Sequence, residues 1–482
     1  VIRNALRGRR QIVLAGLGFV ALGAPVGAYG VAWPSIRASF HQPVSSLGLL
    51  LFVFWLTRAL GAVAAGHLPD GGGVRSVRVA ATALAGFGLL AIAVAPTWSL
   101  VLVAAAAEGF GSGMLDTTLN AWATRGGGNV RTLNVLHTGF PVGATIGPLL
   151  LTALAGAGVS WRFGFALLGG AYVALAVALA RFLDPPEAPA VSAPSPRVPT
   201  MARIAIVAGI ATFFAYVGAE VTVGQWGSTL LHESRGLSST AAGLATAGFW
   251  FSFGIGRLTV GLSAPRWPAG RLLEASMLVA GAGGLGLWVL PGAVSGIVSI
   301  CVAGAGMAAI FPTLVALTVL RARGARAATM IGYQVAAAAV GAAIIPGGVG
   351  LLVSWRSVEV IGPVVVSCLL LMALLDRANA HFVRKATCLD QAEATTDALR
   401  CQQLVELVTE YLEGALNEAE RDAFELHLLT CEGCVAYVQQ VRETVRLTHT
   451  LRVDDVPDHM MTRLLTALHE DVARSRDDDP SS

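Results

Sequence analysis

Long apolar stretches separated by short polar joints fill the first 380 residues. A helix needs about 20 apolar residues to cross a bilayer core. Twelve stretches reach that length: 11–35, 45–68, 77–96, 98–123, 134–156, 161–182, 203–229, 238–263, 271–291, 294–320, 328–353 and 357–380. The pattern predicts an all-α, polytopic membrane protein of twelve transmembrane helices. The first run, from Ile12 onward, lacks a small-residue cleavage site and reads as a span rather than a leader.

Past residue 400 the pattern changes to short amphipathic helices. In CQQLVELVTEYLEGAL (401–416), Leu404, Val405, Val408, Tyr411 and Leu412 recur at a helical period. Asn417 and Glu420 read as an N-cap and its reciprocal partner. The helix they start carries Phe424 to Leu429. A third helix starts near Cys431 and runs to about Leu451. Asp458 caps a fourth, with Met460, Met461, Leu464, Leu465 and Leu468. The expected organisation is a six-helix bundle over 1–182, a Pro-rich cytosolic linker over 183–202 and a second six-helix bundle over 203–380. A linker over 381–399, a small helical domain over 400–470 and a disordered tail over 471–482 complete it.

Composition sharpens the division. The chain is 55% hydrophobic and 13% charged, with mean hydropathy +0.66, too apolar for an ordinary soluble domain. Residues 1–385 hold 25 basic and 10 acidic residues, and residues 386–482 hold 8 and 20. An apolar, basic body thus carries an acidic tail. Loops on the N-terminal side of the spans are Arg-rich, while the opposite loops carry only Arg37, Arg162, Arg235 and Arg356. The positive-inside rule places both termini, and the tail, in the cytoplasm.

The halves repeat. FWLTRALGAVAAGHLPD and FWFSFGIGRLTVGLSAP match at an offset of 195, aligning Phe54 with Phe249, Trp55 with Trp250, Gly61 with Gly256 and Gly66 with Gly261. GATIGP (143–148) and GAAIIP (341–346) match as well. Two six-helix pseudo-repeats of this kind point to a transporter.

On these residues the chain resembles the major facilitator superfamily. GHLPDGGGVR (66–75) matches its loop signature, G-x-L-x-D-x-x-G-x-R, at Gly66, Asp70, Gly73 and Arg75. The resemblance implies that Asp70 and Arg75 form a cytoplasmic latch in a gating loop. GSGMLDTTLNAW (111–122), LNVLHTGFPVGATIGPLL (133–150), YVGAEVTVGQW (216–226) and FWFSFGIGR (249–257) are similar to the fucose-permease-like branch. Sugar symporters of that branch keep an acid and then an Asn four residues on, as Asp116 and Asn120 do here. Gly147-Pro148 belongs to a pattern common in exporters, so import and export both stay open.

Charges inside a membrane are expensive and need a reason. Arg58, Glu108, Asp116 and Glu220 sit within spans, with Arg257 nearer a cytosolic end. Asp116 and Asn120 share one helical face. A carboxyl group facing a central cavity can load and release a proton, which a proton-gradient-driven carrier requires. The structural alternative is a static ion pair of Arg58 with Glu108 or Asp116. Tyr216, Gln225, Trp226 and Gln334 are candidates for lining the cavity and binding substrate, with helix packing as the alternative. His137 reads first as a packed, hydrogen-bonded residue. No G-x-x-x-x-G-K-[ST] loop occurs, and Lys385 is the one lysine, so a gradient rather than ATP supplies the energy. No nucleophile–base set indicates an enzyme.

The tail carries a different chemistry. His427, Cys431 and Cys434 have zinc-ligand spacing, and Cys401 completes a Cys₃His set. Zinc would staple a bundle too small to be robust alone. Cys388 reads as a spare in the linker. Residues 400–452 resemble zinc-containing anti-sigma domains, which implies a sigma factor as partner. The acidic tail argues against direct nucleic-acid contact. The sequence thus predicts a proton-coupled, multi-pass carrier of a small solute in a bacterial-type plasma membrane, with a zinc-binding module. The alternatives are a transporter-like sensor that tethers and releases a sigma factor, or a drug or metabolite exporter.

Overall fold

The computed structural model describes the backbone of residues 2–66, 73–125, 136–182, 200–263, 267–321, 326–393 and 401–448, with three isolated positions beyond. The chain divides into two compact units, Val1–Arg384 and Lys385–Ser482.

The first unit is a bundle of long helices. They are α1 (Ile2–Ser39), α2 (Ser46–Gly66), α3 (Gly73–Val94), α4 (Trp98–Arg125), α5 (Gly139–Gly156), α6 (Trp161–Phe182), α7 (Thr200–Glu233), α8 (Ser239–Ser263), α9 (Ala269–Val289), α10 (Ala293–Met307), α11 (Ile310–Arg321), α12 (Arg326–Trp355) and α13 (Ile361–Glu393). Helices α10 and α11 together make the tenth predicted span. Among the described residues, 11 segments are long and apolar enough to cross a membrane. The twelfth long helix, α8, is diluted by Gly, Ser and Trp, and so falls short on hydropathy rather than length.

The break in the tenth span has a local cause. A proline inside a helix removes one N–H and clashes with the carbonyl four residues earlier. Pro312 does this to Ala308, and residues 308–309 leave the helix. Elsewhere the structure extends the sequence reading. Helix α7 starts at Thr200, inside the expected linker. Helix α13 runs to Glu393, through most of the stretch read as the second linker, because nothing from Asp376 to Glu393 is a Gly or Pro that would stop it. The remaining linker residues and the 471–482 tail lie outside the described residues.

Glycine sets how closely the helices pack, and it does so twice over. A side chain at Gly61 would meet the Phe110 carbonyl, and one at Gly256 the Ala305 carbonyl. Gly109 and Gly304 press on the carbonyls of Phe54 and Phe249, and Gly88 and Gly283 on the backbones of Glu108 and Ala303. Each of these contacts recurs 195 residues on, so the two halves share one scaffold.

The halves meet from mid-height to the face opposite the N-terminus, here the far face. Gly48 of α2 lies against Gly347 and Gly350 of α12, and Gly243 of α8 against Thr152 of α5. Phe140 packs edge-on to Trp250. Gln225 donates to the Val26 carbonyl. Arg37 and Glu233 pair at 2.7 Å, with 30% and 24% of their side chains exposed.

The second unit contains α14 (Cys401–Glu413), α15 (Glu418–Thr430) and α16 (Glu432–Thr448). Gly414 (φ +73°) ends α14 in the left-handed region, which glycine adopts without steric cost. Asn417 and Glu420 form a full capping box at the head of α15, the reciprocal pair expected from the sequence. Leu404, Val408, Phe424, Cys434 and Val438 form a small core, with Tyr411 stacked on Phe424 at 4.2 Å. The expected fourth helix falls almost wholly outside the described residues.

Candidate functional site

A continuous polar chain crosses the N-terminal half. Arg58, only 7% exposed, donates from one terminal nitrogen to Asp116 Oδ2 at 3.0 Å. Asn120 Nδ2 donates to Asp116 Oδ1 at 2.8 Å, one turn along the same face. His137 Nε2 then donates to Asn120 Oδ1 at 2.9 Å. Asp116 keeps 35% of its side chain exposed, although its helix is packed on several sides. The guanidinium also lies 5.3 Å above the Trp55 ring. The sequence left the partner of Arg58 open between Glu108 and Asp116, and the structure chooses Asp116.

Glu108 is sealed, with 0% exposure. Its carboxyl group accepts from Tyr29 and Ser112, each at 3.1 Å. Tyr172 stands beside Ser112 at 3.4 Å and donates to the Ala21 carbonyl at 2.8 Å. The buried carboxyl group is satisfied by hydroxyl groups rather than by an ion pair, which limits the cost of burial. Tyr29 and Tyr172 escape sequence reasoning because their partners lie 60 to 151 positions away, whereas Ser112 sits one turn from Glu108, a spacing the sequence does offer.

The C-terminal half arranges its polar groups around the break in the tenth span. Tyr216 donates to the Met307 carbonyl at 2.8 Å, so its hydroxyl stands at the gap of the helical ladder. Glu220, 8% exposed, lies one turn from Tyr216 and within its reach. Arg257 Nε donates at 3.3 Å to Ala308, the carbonyl freed by Pro312. Its guanidinium sits 4.6 Å over the Phe253 ring and within Coulombic reach of both Glu220 and His137.

The shared scaffold does not need these charges. At the 195-residue register, Arg58, Glu108, Asp116 and Asn120 correspond to Phe253, Ala303, Phe311 and Val315, and Arg257 corresponds to Ala62. Helices α1 and α7 align at 194, where Val20 meets Gly143 and Phe214 meets Gly341, so Glu220 corresponds to Val26. Each intramembrane charge thus has an apolar counterpart in an equivalently packed position.

The substrate-binding candidates are placed differently. Gln225, Trp226 and Tyr216 are fully buried. Gln225 ties α7 to α1, and Trp226 donates to the Pro346 carbonyl at 3.1 Å. Gln334, 1% exposed, accepts from Thr318 at 3.1 Å. Each spends a polar atom on a neighbouring helix, as the packing alternative expects, while Gln225 Oε1 is buried without a hydrogen-bond partner. In the gating loop, Asp70 lies outside the described residues; Gly66 ends α2 and Gly73 begins α3. Arg75 donates to the Ala180 carbonyl of α6. On the Arg-poor face, Arg162 donates to Ala93 and Ala95, each at 2.9 Å, and Arg235 pairs with Glu359 at 2.6 Å. These arginines pin helix ends.

The tail gathers Cys401, His427, Cys431 and Cys434 so that their ligand atoms lie within 4.8 Å of one another. Zinc bonds of about 2.3 Å to sulfur and 2.0 Å to nitrogen give tetrahedral edges of about 3.8 Å and 3.5 Å. Cys401 Sγ lies 3.8 Å from Cys431 Sγ and 3.5 Å from His427 Nε2, so the cluster fits zinc. The Cys434 backbone N–H is the main cause pulling the Cys431 thiol down to about 7, which makes it a ready thiolate. Burial pushes Cys434 up to about 12.

Comparison with known proteins agrees with both units. Residues 401–434 match the family described as "Putative zinc-finger". Over 133 residues the chain is 28% identical to "Uncharacterized transporter y4wD" of Sinorhizobium fredii (strain NBRC 101917 / NGR234), covering 27% of this chain and 35% of that protein. The fold is similar to peptide transporter POT (TM-score 0.63, 13% identity, 77% of this chain and 95% of that one). It is also similar to a D-xylose-proton symporter (0.62, 14%, 75% and 96%) and to FucP in the outward conformation (0.55, 18%, 76% and 97%). At these identities the likeness shows the fold. Residues 14–346, most of the membrane unit, match the Major Facilitator Superfamily, and the chain belongs to that family.

Proposed function

We propose that this chain is a proton-coupled secondary carrier of a small solute, working by alternating access in a bacterial-type plasma membrane with both termini in the cytoplasm. One observation carries the reading: in the Arg58–Asp116–Asn120–His137 chain, the first three occupy positions whose repeat counterparts are apolar, yet Asp116 keeps 35% of its side chain exposed. A packing role alone would not need a charge where the equivalent position of the other half is apolar. On this reading Asp116 and Asn120 carry coupling, with Glu108, Glu220, Arg58 and Arg257 as the supporting charges. On this reading the Arg37–Glu233 pair helps close the far face when the carrier opens toward the cytoplasm. The gating loop at Gly66, Asp70, Gly73 and Arg75 closes that side in the opposite state.

The zinc module serves a protein partner. Its acidic surface suits a basic protein, and its likeness to anti-sigma domains makes a sigma factor our choice. Proteoliposomes loaded with a pH-sensitive dye test the carrier reading. Solute addition acidifies the lumen if the chain is a symporter, and a protonophore abolishes accumulation. Saturable binding with no proton or solute movement would instead make the chain a sensor. Recovery of a sigma factor on the detergent-purified, zinc-replete chain tests the second part.

A further inference from the structure

We infer that the central site takes a small organic anion, whose carboxylate docks on Arg257; this rests on the carrier reading above. Arg58 and Arg257 together have one carboxylate in ion-pair contact among the described residues, that of Asp116. The other two intramembrane carboxyl groups do not neutralise them by contact. Glu108 is held by Tyr29 and Ser112, and Glu220 lies beside Tyr216. Arg257 itself rests on two neutral partners, the Ala308 carbonyl and the Phe253 ring. A guanidinium on a membrane-spanning helix with only neutral direct contacts calls for an anion. Arg58 adds a second observation: it is more than nine-tenths buried, and its Nη1 has no hydrogen-bond partner.

Geometry narrows the ligand. A planar guanidinium receives a carboxylate bidentately, which a spherical ion does not exploit. His137, within Coulombic reach of Arg257 and hydrogen-bonded to Asn120, suits a hydroxyl or similar polar substituent on the same small molecule. The titratable groups facing Arg257 are Glu220 and Tyr216 from α7 and His137 ahead of α5, with Asp116 behind His137. An ionised Glu220 competes with a bound carboxylate for the field of Arg257, whereas a protonated Glu220 does not. A proton on Glu220 therefore favours a monoanion on Arg257, while the coupling itself stays with Asp116.

The test uses the full chain purified in detergent and acid–neutral pairs of like size: D-galacturonate with D-galactose, D-gluconate with sorbitol, and lactate with 1,2-propanediol. Nitrate is the inorganic arm. Thermal stabilisation should saturate with at least one acid and be absent with its neutral partner. Arg257→Gln should weaken that acid by about tenfold or more, the loss of a charge-assisted bidentate contact, with Arg257→Lys between the two. Equal binding of the neutral partner, response to nitrate alone, no response to any acid, or an unchanged affinity in both variants overturns the inference. Dye-loaded proteoliposomes separate it from the carrier reading. A neutral sugar that drives proton entry leaves a carrier without an anion site. An acid that binds without proton entry leaves an anion site without a carrier.

Discussion

The Arg37 guanidinium at the end of α1 meets the Glu233 carboxylate at the end of α7 at 2.7 Å, joining two halves that are 196 residues apart in the chain. Both side chains are partly exposed, so the pair contributes about 0.2–1 kcal/mol after solvent screening. That is enough to shift a two-state balance a few-fold. Arg37→Glu should open the far face and raise hydrogen exchange in segments 44–50 and 345–356, which pack there. Arg37→Glu with Glu233→Arg should restore protection. Unchanged exchange in the single variant would remove the pair from gating.

Asp116 neutralises Arg58 and leaves 35% of its side chain exposed. Asp116→Asn keeps the shape and removes the charge. We expect the variant to reach the membrane and to lose pH-driven solute accumulation. It should also unfold at lower temperature than the parent, because Arg58 is left buried without its counter-ion. Arg58→Phe with Asp116→Phe installs the residues found at the matching positions of the other half. This double variant should recover thermal stability while staying inactive. Recovery of transport in it would make the pair structural.

Much of this was legible in the sequence, and the failures have physical reasons. Hydropathy gave the twelve stretches because every span must satisfy its backbone internally. The Asn417–Glu420 box and the Cys₃His set were legible because their spacing is local or chemically narrow. Partner choice was not. Arg58 could reach two acids, and only the rotation of α2 against α4 decides for Asp116. Gln225, Trp226 and Gln334 look alike in sequence whether they face a cavity or a neighbouring helix. Arg37 and Glu233 carried one faint signal, an arginine on the Arg-poor side of the spans.

Pro312 breaks the tenth span and frees the Ala308 carbonyl that Arg257 takes. Pro312→Ala should restore the missing N–H and let the helix close. We expect stability to rise by about 1 kcal/mol or more. Arg257 then loses its acceptor and Tyr216 its place in the ladder, so transport should fall while expression holds. A variant as active as the parent would show that the break is incidental.

Among the described residues of the tail, four apolar side chains, Leu404, Val408, Phe424 and Val438, are buried with the ligand Cys434 to hold three short helices, a small core for a unit of that length. Metal binding can supply the difference, because ligand bonds that form only in the folded state add directly to folding free energy. Cys431→Ser removes a ligand 3.8 Å from Cys401 and the thiol readiest to ionise. Zinc measured by mass spectrometry on the purified full chain should fall from one per chain toward zero. Segments 401–413 and 432–448 should then lose exchange protection, while the membrane helices keep theirs. Asn417→Ala removes one capping bond and should cost about 1 kcal/mol without releasing metal. If Cys431→Ser retained zinc and protection, the four side chains would be neighbours without being ligands.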